Sequence, residues 1–400
     1  MMVDIDLLGN YYGNRGTQAG SFSVVIRRMA EHMEKLCSLY AWNIGGEMWR
    51  EKTDMNPELR KALNRGNLTT KGRDYKHLGI IHGHPAYYSE ADQKYFKGYH
   101  SEIERYKKKI LMTVNESAPL PRAWISNAQM FNQIWVPSKY CQDVWKQQLP
   151  KADIRIVPHG VESFFRPSPN MVSTMENPTL MLVDKMDEFK FLNIYSASSF
   201  PHRKGIDVLL MAYMEEFVGP AGKDGGDDVC LIIKTENKPY LQELINKEAI
   251  LHEAPPKIKI IDQGFSVMEL VQLYNATDCV LSPHRGEAWG MDISNAIACG
   301  VPTICTDFSG PVDFARGYAT MIPIEKDLVP GVCYSNTEGL YAEPKIDELK
   351  KSMREHFKDK SGGKTGKLRK KAIDKAPEFR KRWNWENSAQ IAVKNAEEVK

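Results

Sequence analysis

Residues 278–308 compress a strand, a loop, a helix and a second strand into one run, an order that points to a parallel α/β layer. Cys279, Val280 and Leu281 make a short apolar strand, and Ser282 to Gly290 is a loop punctuated by Pro283, Gly286 and Gly290. Met291 to Cys299 has helical apolar spacing and stops at Gly300, a residue suited to a left-handed cap. Val301 to Thr306 is the second strand. In doubly wound sheets, ligands sit at the carboxyl ends of strands. Free N–H groups at a helix start favour an anion such as phosphate. Glu287 in the loop offers only acceptors, which suits hydroxyl groups.

The rest of the chain can support such layers twice over. Four hundred residues, 42% hydrophobic and 26% charged, suit two globular domains. No run approaches eighteen apolar residues, and the first residues lack a basic region followed by an apolar stretch. The seven cysteines show neither CxxC pairs nor zinc spacing, which fits reduced thiols and a cytoplasmic protein. Residues 1–165 hold 23 Lys and Arg against 17 Asp and Glu, and the tail is basic again at Lys367, Arg369, Lys370, Lys371, Arg380, Lys381 and Arg382. With Tyr95, Tyr99 and Tyr106, these cations would suit an anionic acceptor, nucleic acid included.

Taken in order, Val3 to Leu8 is a strand and Ser21 to Leu36 a helix, joined by a loop containing Gly9, Gly13, Gly16 and Gly20. That spacing is neither a dinucleotide fingerprint nor a Walker loop. Residues 47–76 read as a polar, irregular insertion, and a strand then ends near His82 and His84. Ile110 to Val114 is a strand followed by Glu116, and Pro121, Trp124, Trp135, Pro137 and Pro158-His159-Gly160 follow. Residues 164–187, with Pro167, Pro169 and Pro178, read as a connection. The strand from Phe191 to Ser196 leads through Ser199 to Arg203-Lys204-Gly205 and a helix, and Gln263-Gly264-Phe265 follows a strand at Ile258–Ile261.

These motifs resemble glycosyltransferase family 4, the retaining two-domain sugar-nucleotide transferases. The family signature has a Glu in a Gly-rich loop, a second Glu eight positions on, and then Ala-Met-Ala-x-Gly-x-Pro-Val-Ile. Glu287, the run from Ala296 to Ile304, and Ser309-Gly310 fit it, but the second Glu is Asn295, and Asp292 stands where the family has Pro. The resemblance implies two Rossmann-like domains facing a cleft (GT-B type), with a C-terminal helix crossing back to the first domain. On that basis residues 1–165 form an N-terminal acceptor domain, 166–188 a linker, 189–375 a donor domain, and 376–400 the returning helix.

The resemblance also implies roles. Arg203 and Lys204 would stabilise the departing diphosphate, and Glu287 would orient sugar hydroxyls. Ser199, Gly264, Phe265, Ala288, Trp289, Gly290, Met291 and Asn295 would bind the donor. Gly16, His82, His84, Glu116 and His159 would line the acceptor side. The expected donor is a nucleoside-diphosphate sugar, UDP-sugar before GDP-sugar, with no metal and no other cofactor. The acceptor would be a hydroxyl of a glycan, a lipid-linked glycan or a hydroxymethylated base in DNA. Asn295 motivates an alternative, a catalytically weak relative that binds a nucleotide sugar or glycan.

Overall fold

The computed structural model describes residues 3–9, 21–43, 56–68, 76–85, 103–168, 176–195, 201–217, 227–332, 338–359 and 366–399. They divide into two compact units, one of residues 1–160 with 383–400 and the other of residues 161–382.

The first unit is built on six parallel strands: β1 (Asp4–Gly9), β2 (Ser38–Asn43), β3 (Leu78–His82), β4 (Lys109–Met112), β5 (Gln133–Val136) and β6 (Asp153–Ile156). Their order is β2-β1-β3-β4-β5-β6. Strands in a parallel sheet are covered on both faces and read as apolar runs. β3, β4 and β5 follow this rule, with every residue buried. Helix Ser21–Met33 turns Val25, Ile26, Met29, Ala30 and Met33 inward. Helix Trp385–Glu397, capped by the Asn384 side chain on the Asn387 N–H, buries Trp385, Ala389, Ala392 and Ala396 in the same unit.

The second unit repeats the plan with β7 (Phe189–Ile194), β8 (Val229–Lys234), β9 (Lys257–Ile261), β10 (Cys279–Ser282), β11 (Thr303–Thr306) and β12 (Thr320–Ile322), in the order β12-β11-β10-β7-β8-β9. All neighbours are parallel. A small antiparallel hairpin, β13 (Val329–Val332) with β14 (Glu338–Tyr341), is added. The chain leaves β7 on one side and β10 on the other, so the point where strand order reverses lies between them. In doubly wound sheets that point is where ligands bind. In the first unit the corresponding point lies between β1 and β3.

The structure corrects three expectations. Residues 47–76 are not wholly irregular: Pro57–Leu68 is a helix, started by the Asn56 side chain accepting from the Leu59 N–H at 2.9 Å. The expected linker, 166–188, lies within the second unit and contains helix Pro178–Asp184, which buries Leu180 and Val183. The segment that rejoins the first unit begins at Trp383, because helix Lys367–Arg382 runs past residue 376 and belongs to the second unit. Tyr95, Tyr99 and the loop carrying Gly16 fall outside the described residues.

One glycine ties the second sheet together. Gly205 starts helix Ile206–Glu216 at φ +66°, and a Cβ there would lie 2.0 Å from the carbonyl oxygen of Pro283. Gly205→Ala combines a left-handed strain with a backbone clash, so it should destabilise the protein by about 3 kcal/mol. A shift of the urea midpoint checks this, and an unchanged midpoint contradicts the packing described.

Candidate functional site

The carboxyl ends of β7 and β10 bring the main candidates together. After β7, the short helix Pro201–Lys204 carries Arg203 and Lys204. After β10, residues 283–290 form a loop that runs into helix Met291–Ala298 through Gly290 at φ +89°. The two strands are already linked, since the Asn193 side-chain amide donates to the Leu281 carbonyl at 2.8 Å.

The loop is then clasped to the turn at residues 203–205. The Arg285 N–H donates to the Arg203 carbonyl at 2.8 Å, and Arg203 Nη1 donates back to the Gly286 carbonyl at 2.9 Å. On the other side, the Glu287 N–H donates to Ser309 Oγ at 2.9 Å and the Gly310 N–H to the Glu287 carbonyl at 2.8 Å. A Cβ at Gly310 would lie 2.0 Å from the Ala288 carbonyl oxygen, which accounts for the glycine there.

Arg285 anchors this loop. Its guanidinium donates to both oxygens of Asp207 (2.7 and 2.8 Å), both oxygens of Glu343 (2.7 and 2.8 Å) and the His202 carbonyl (2.7 Å). All five N–H donors of the fork are engaged. Sequence reading missed this residue because its carboxylate partners lie 78 and 58 positions away.

Glu287 lies at the centre of the site and is 7% exposed. Its Oε1 accepts from Arg203 Nη1 at 2.8 Å and Lys204 Nζ at 2.5 Å. Burial pushes its pKa up, but the Arg203 and Lys204 charges outweigh burial and hold the carboxyl down at about 2. The two cations and the carboxylate expected at the site are therefore in direct contact.

Two neighbours add to the charge pattern. Asp292, in the first turn of helix Met291–Ala298, accepts from Ser282 Oγ at 3.3 Å. Burial raises its pKa, and nearby Lys204 opposes that rise. His284 is fully buried, and neither ring nitrogen has a hydrogen-bond partner. Its pKa is lowered to about 4, by burial first, with Lys204 and Arg203 pushing the same way against Glu287. Sequence reading passed over His284 because burial and orphaned ring nitrogens leave no sequence pattern.

The remaining donor-side candidates are more dispersed. Ala288 and Trp289 are buried, Trp289 against Phe314 at 4.7 Å between rings, and Gly290 and Met291 begin the helix. Asn295 lies one turn on, near the Tyr274 hydroxyl, which donates to the Asp292 carbonyl at 3.2 Å. Gly264 and Phe265 follow β9, two strands from β7; Gly264 is exposed, and Phe265 is buried with the Lys234 ammonium 5.6 Å from its ring. Ser199 lies outside the described residues.

In the first unit, His82, His84, Glu116 and His159 all follow carboxyl ends of strands. His82 closes β3, and burial, with His159 and His84 nearby, lowers its pKa to about 3. His84 stacks on Trp124 (4.7 Å) and His159 on Trp385 (5.8 Å), and burial lowers each to about 3. His82 and His159 line a cavity of about 10 Å³ with Thr113 and Met29, room for one water-sized group. Glu116 is half-buried. Tyr106, considered above as a nucleic-acid contact, is 1% exposed and donates to Asp6 at 2.6 Å, so it is not a surface aromatic. Among the described residues, no helix is long and apolar enough to cross a membrane.

The fold defined by these two units is the GT-B arrangement of paired Rossmann-like domains. Sucrose-phosphate synthase from Thermosynechococcus elongatus matches over 99% of both chains, with a TM-score of 0.64 at 13% identity. Anabaena HepE, solved in complex with UDP-glucose, matches over 99% of this chain and 100% of its own, with a TM-score of 0.66 at 12% identity. At these identities the likeness is one of fold.

By sequence, residues 190–379 match the family model Glycosyl transferases group 1, which takes in Arg203, Lys204, Glu287 and Asn295. The chain is also 31% identical over 152 residues to a probable sucrose-phosphate synthase of Thermosipho melanesiensis, 34% of this chain and 32% of that protein. It thus spans about a third of the length of that curated relative.

A pH dependence follows from Glu287. Its folded pKa, about 2, lies below its ordinary 4.5. Its contribution to stability is therefore complete above pH 4.5 and is lost as pH falls towards 2. Glu287→Gln should be less stable than the parent at neutral pH, and the gap should narrow as the solution is acidified. Denaturant midpoints along a pH series test this; a gap that stays constant contradicts it.

Proposed function

We propose that the chain is a retaining glycosyltransferase of family 4 that moves a hexose-type sugar from a nucleoside-diphosphate sugar to a hydroxyl acceptor. The observation that carries this reading is the contact of Arg203 and Lys204 with Glu287 at the strand-order reversal, inside the segment matching the group 1 model. As the bond from the anomeric carbon to the diphosphate breaks, negative charge grows on the leaving phosphate oxygen. Fixed cations there bind the transition state more tightly than the ground state. The acceptor oxygen attacks the anomeric carbon from the side the diphosphate leaves, and its proton passes to the departing phosphate. Glu287 orients sugar hydroxyls, and the amides from Ala288 to Met291 meet sugar or phosphate.

A UDP-sugar is the favoured donor, supported by the fold shared with a protein solved with UDP-glucose. The cations supply the charge a metal would otherwise bring, so the reaction proceeds in EDTA. For the acceptor, a glycan hydroxyl is favoured over a base in DNA. Tyr106 is buried, and two cations of the basic tail turn inward, Arg369 donating to the Thr277 carbonyl and Arg380 to the Ala298 carbonyl.

Lys204→Ala and Glu287→Ala should each lower kcat by roughly 10²–10³ with circular dichroism unchanged. Turnover of UDP-glucose, UDP-GlcNAc and GDP-mannose, with and without EDTA, measures this; full activity in both variants defeats the reading.

Asn295 favours a second reading, a nucleotide-sugar binder with little turnover. Its side-chain amide brings no charge to a ribose, where the family's Glu would bring one. If the position faces a ribose as in family 4, Asn295→Glu should tighten UDP binding by calorimetry. Unchanged affinity removes that assignment, and tight UDP binding without turnover favours the binder.

A further inference from the structure

We propose that His284 is a positioning residue of the donor site, which takes up a proton and becomes the partner of Glu287 when a bound diphosphate draws Lys204 and Arg203 away. This rests on the donor reading above. It concerns a residue that neither the signature nor that reading includes.

The argument starts from competition. Lys204 Nζ and Arg203 Nη1 converge on a single oxygen of Glu287. A diphosphate brings charge to the same donors. Each donor that turns to phosphate leaves a carboxylate that is 7% exposed and short of a counter-ion. A buried carboxylate in that position must find another cation or a proton.

His284 is built for that exchange. It stands three positions before Glu287 in the same loop, is fully buried, and has two ring nitrogens without partners. A buried polar ring left unsatisfied is an unusual feature of a folded chain. The loop cannot easily move the ring elsewhere. Gly205 packs on the carbonyl of Pro283, and Arg285 is held through both its backbone and its guanidinium.

The charged groups around the imidazole are Glu287 on its own loop and Arg203 and Lys204 from the turn after β7. Asp292, from helix Met291–Ala298, lies within the field of Lys204 and Glu287. With both cations on Glu287, the surroundings keep the ring neutral. With the cations turned to phosphate, the remaining field comes from carboxylates and favours the imidazolium. One proton moves from solvent to the imidazole, whose N–H then donates to Glu287. No covalent bond changes.

The test is calorimetric titration of the full chain with UDP-glucose at pH 6.5, in two buffers of unlike ionisation enthalpy. UDP-glucose is the probe because its phosphates are both esterified, whereas a terminal phosphate titrates near pH 6 and would add its own proton. The parent should take up a substantial fraction of a proton, ~0.5 or more per ligand bound, and its affinity should fall as pH rises from 6 to 8. His284→Gln should bind with little proton uptake and a flattened pH profile, and His284→Asn should behave likewise.

Binding by the parent without proton uptake overturns the proposal, whatever the variants do. Equal uptake by parent and His284→Gln overturns it as well. Absence of UDP-glucose binding by the parent is a different failure, which removes the donor reading and this inference with it.

Discussion

The second unit depends on one guanidinium. Arg285 is 4% exposed, and a cation taken that far from water survives only when every donor is matched. Asp207 at the start of one helix, Glu343 after the hairpin, and the His202 carbonyl provide the match. The loop that carries Glu287 is thereby fixed to three parts of the unit that are far apart in sequence. Because the backbone of Arg285 also bonds Arg203, the same residue sets the spacing between the cations after β7 and the carboxylate after β10. For the donor site proposed above, such spacing is fixed before a ligand arrives.

Electrostatics at the site follows from that spacing. Burial alone would protonate Glu287, and the neighbouring cations reverse the outcome. Asp292, in the first turn of the helix, has only partial compensation and moves the other way. Two carboxylates from adjacent stretches of chain thus differ in proton affinity because one touches two cations and the other accepts from a serine hydroxyl. The first unit handles buried polarity differently: desolvation lowers the pKa of His84 and His159, and each stacks on an indole ring.

Much of this was legible in the sequence. Residues 278–308 could be read nearly element by element, because glycine and proline mark each boundary and the apolar runs between them are short and clean. Arg203, Lys204 and Glu287 stood out for the same reason. Helix Pro57–Leu68 carries only Leu59, Ala62 and Leu63 as buried residues among its described side chains, too few to show a period among polar neighbours. Residues 166–188 looked like a linker because prolines were read as breaks, whereas Pro178 opens a helix capped by Asn177. Arg285 and His284 were invisible for a deeper reason. Their importance comes from what tertiary packing places around them, and a surface arginine or histidine has the same spelling.

The return of residues 383–400 to the first unit also bears on how the molecule is made. Helix Trp385–Glu397 supplies buried side chains to a unit whose six strands all precede residue 160, and the backbone at Trp385 packs directly against Gly160. On the ribosome those strands emerge first but wait for their last helix until the whole second unit has been synthesised. Residues 161–382 have no such delay, since all their sheet partners lie within one continuous stretch. The unit made second can therefore be the first to finish folding. Until residues 383–400 have been made, the earlier unit lacks the side chains that helix Trp385–Glu397 buries, and apolar surface left open in this way is prone to aggregation.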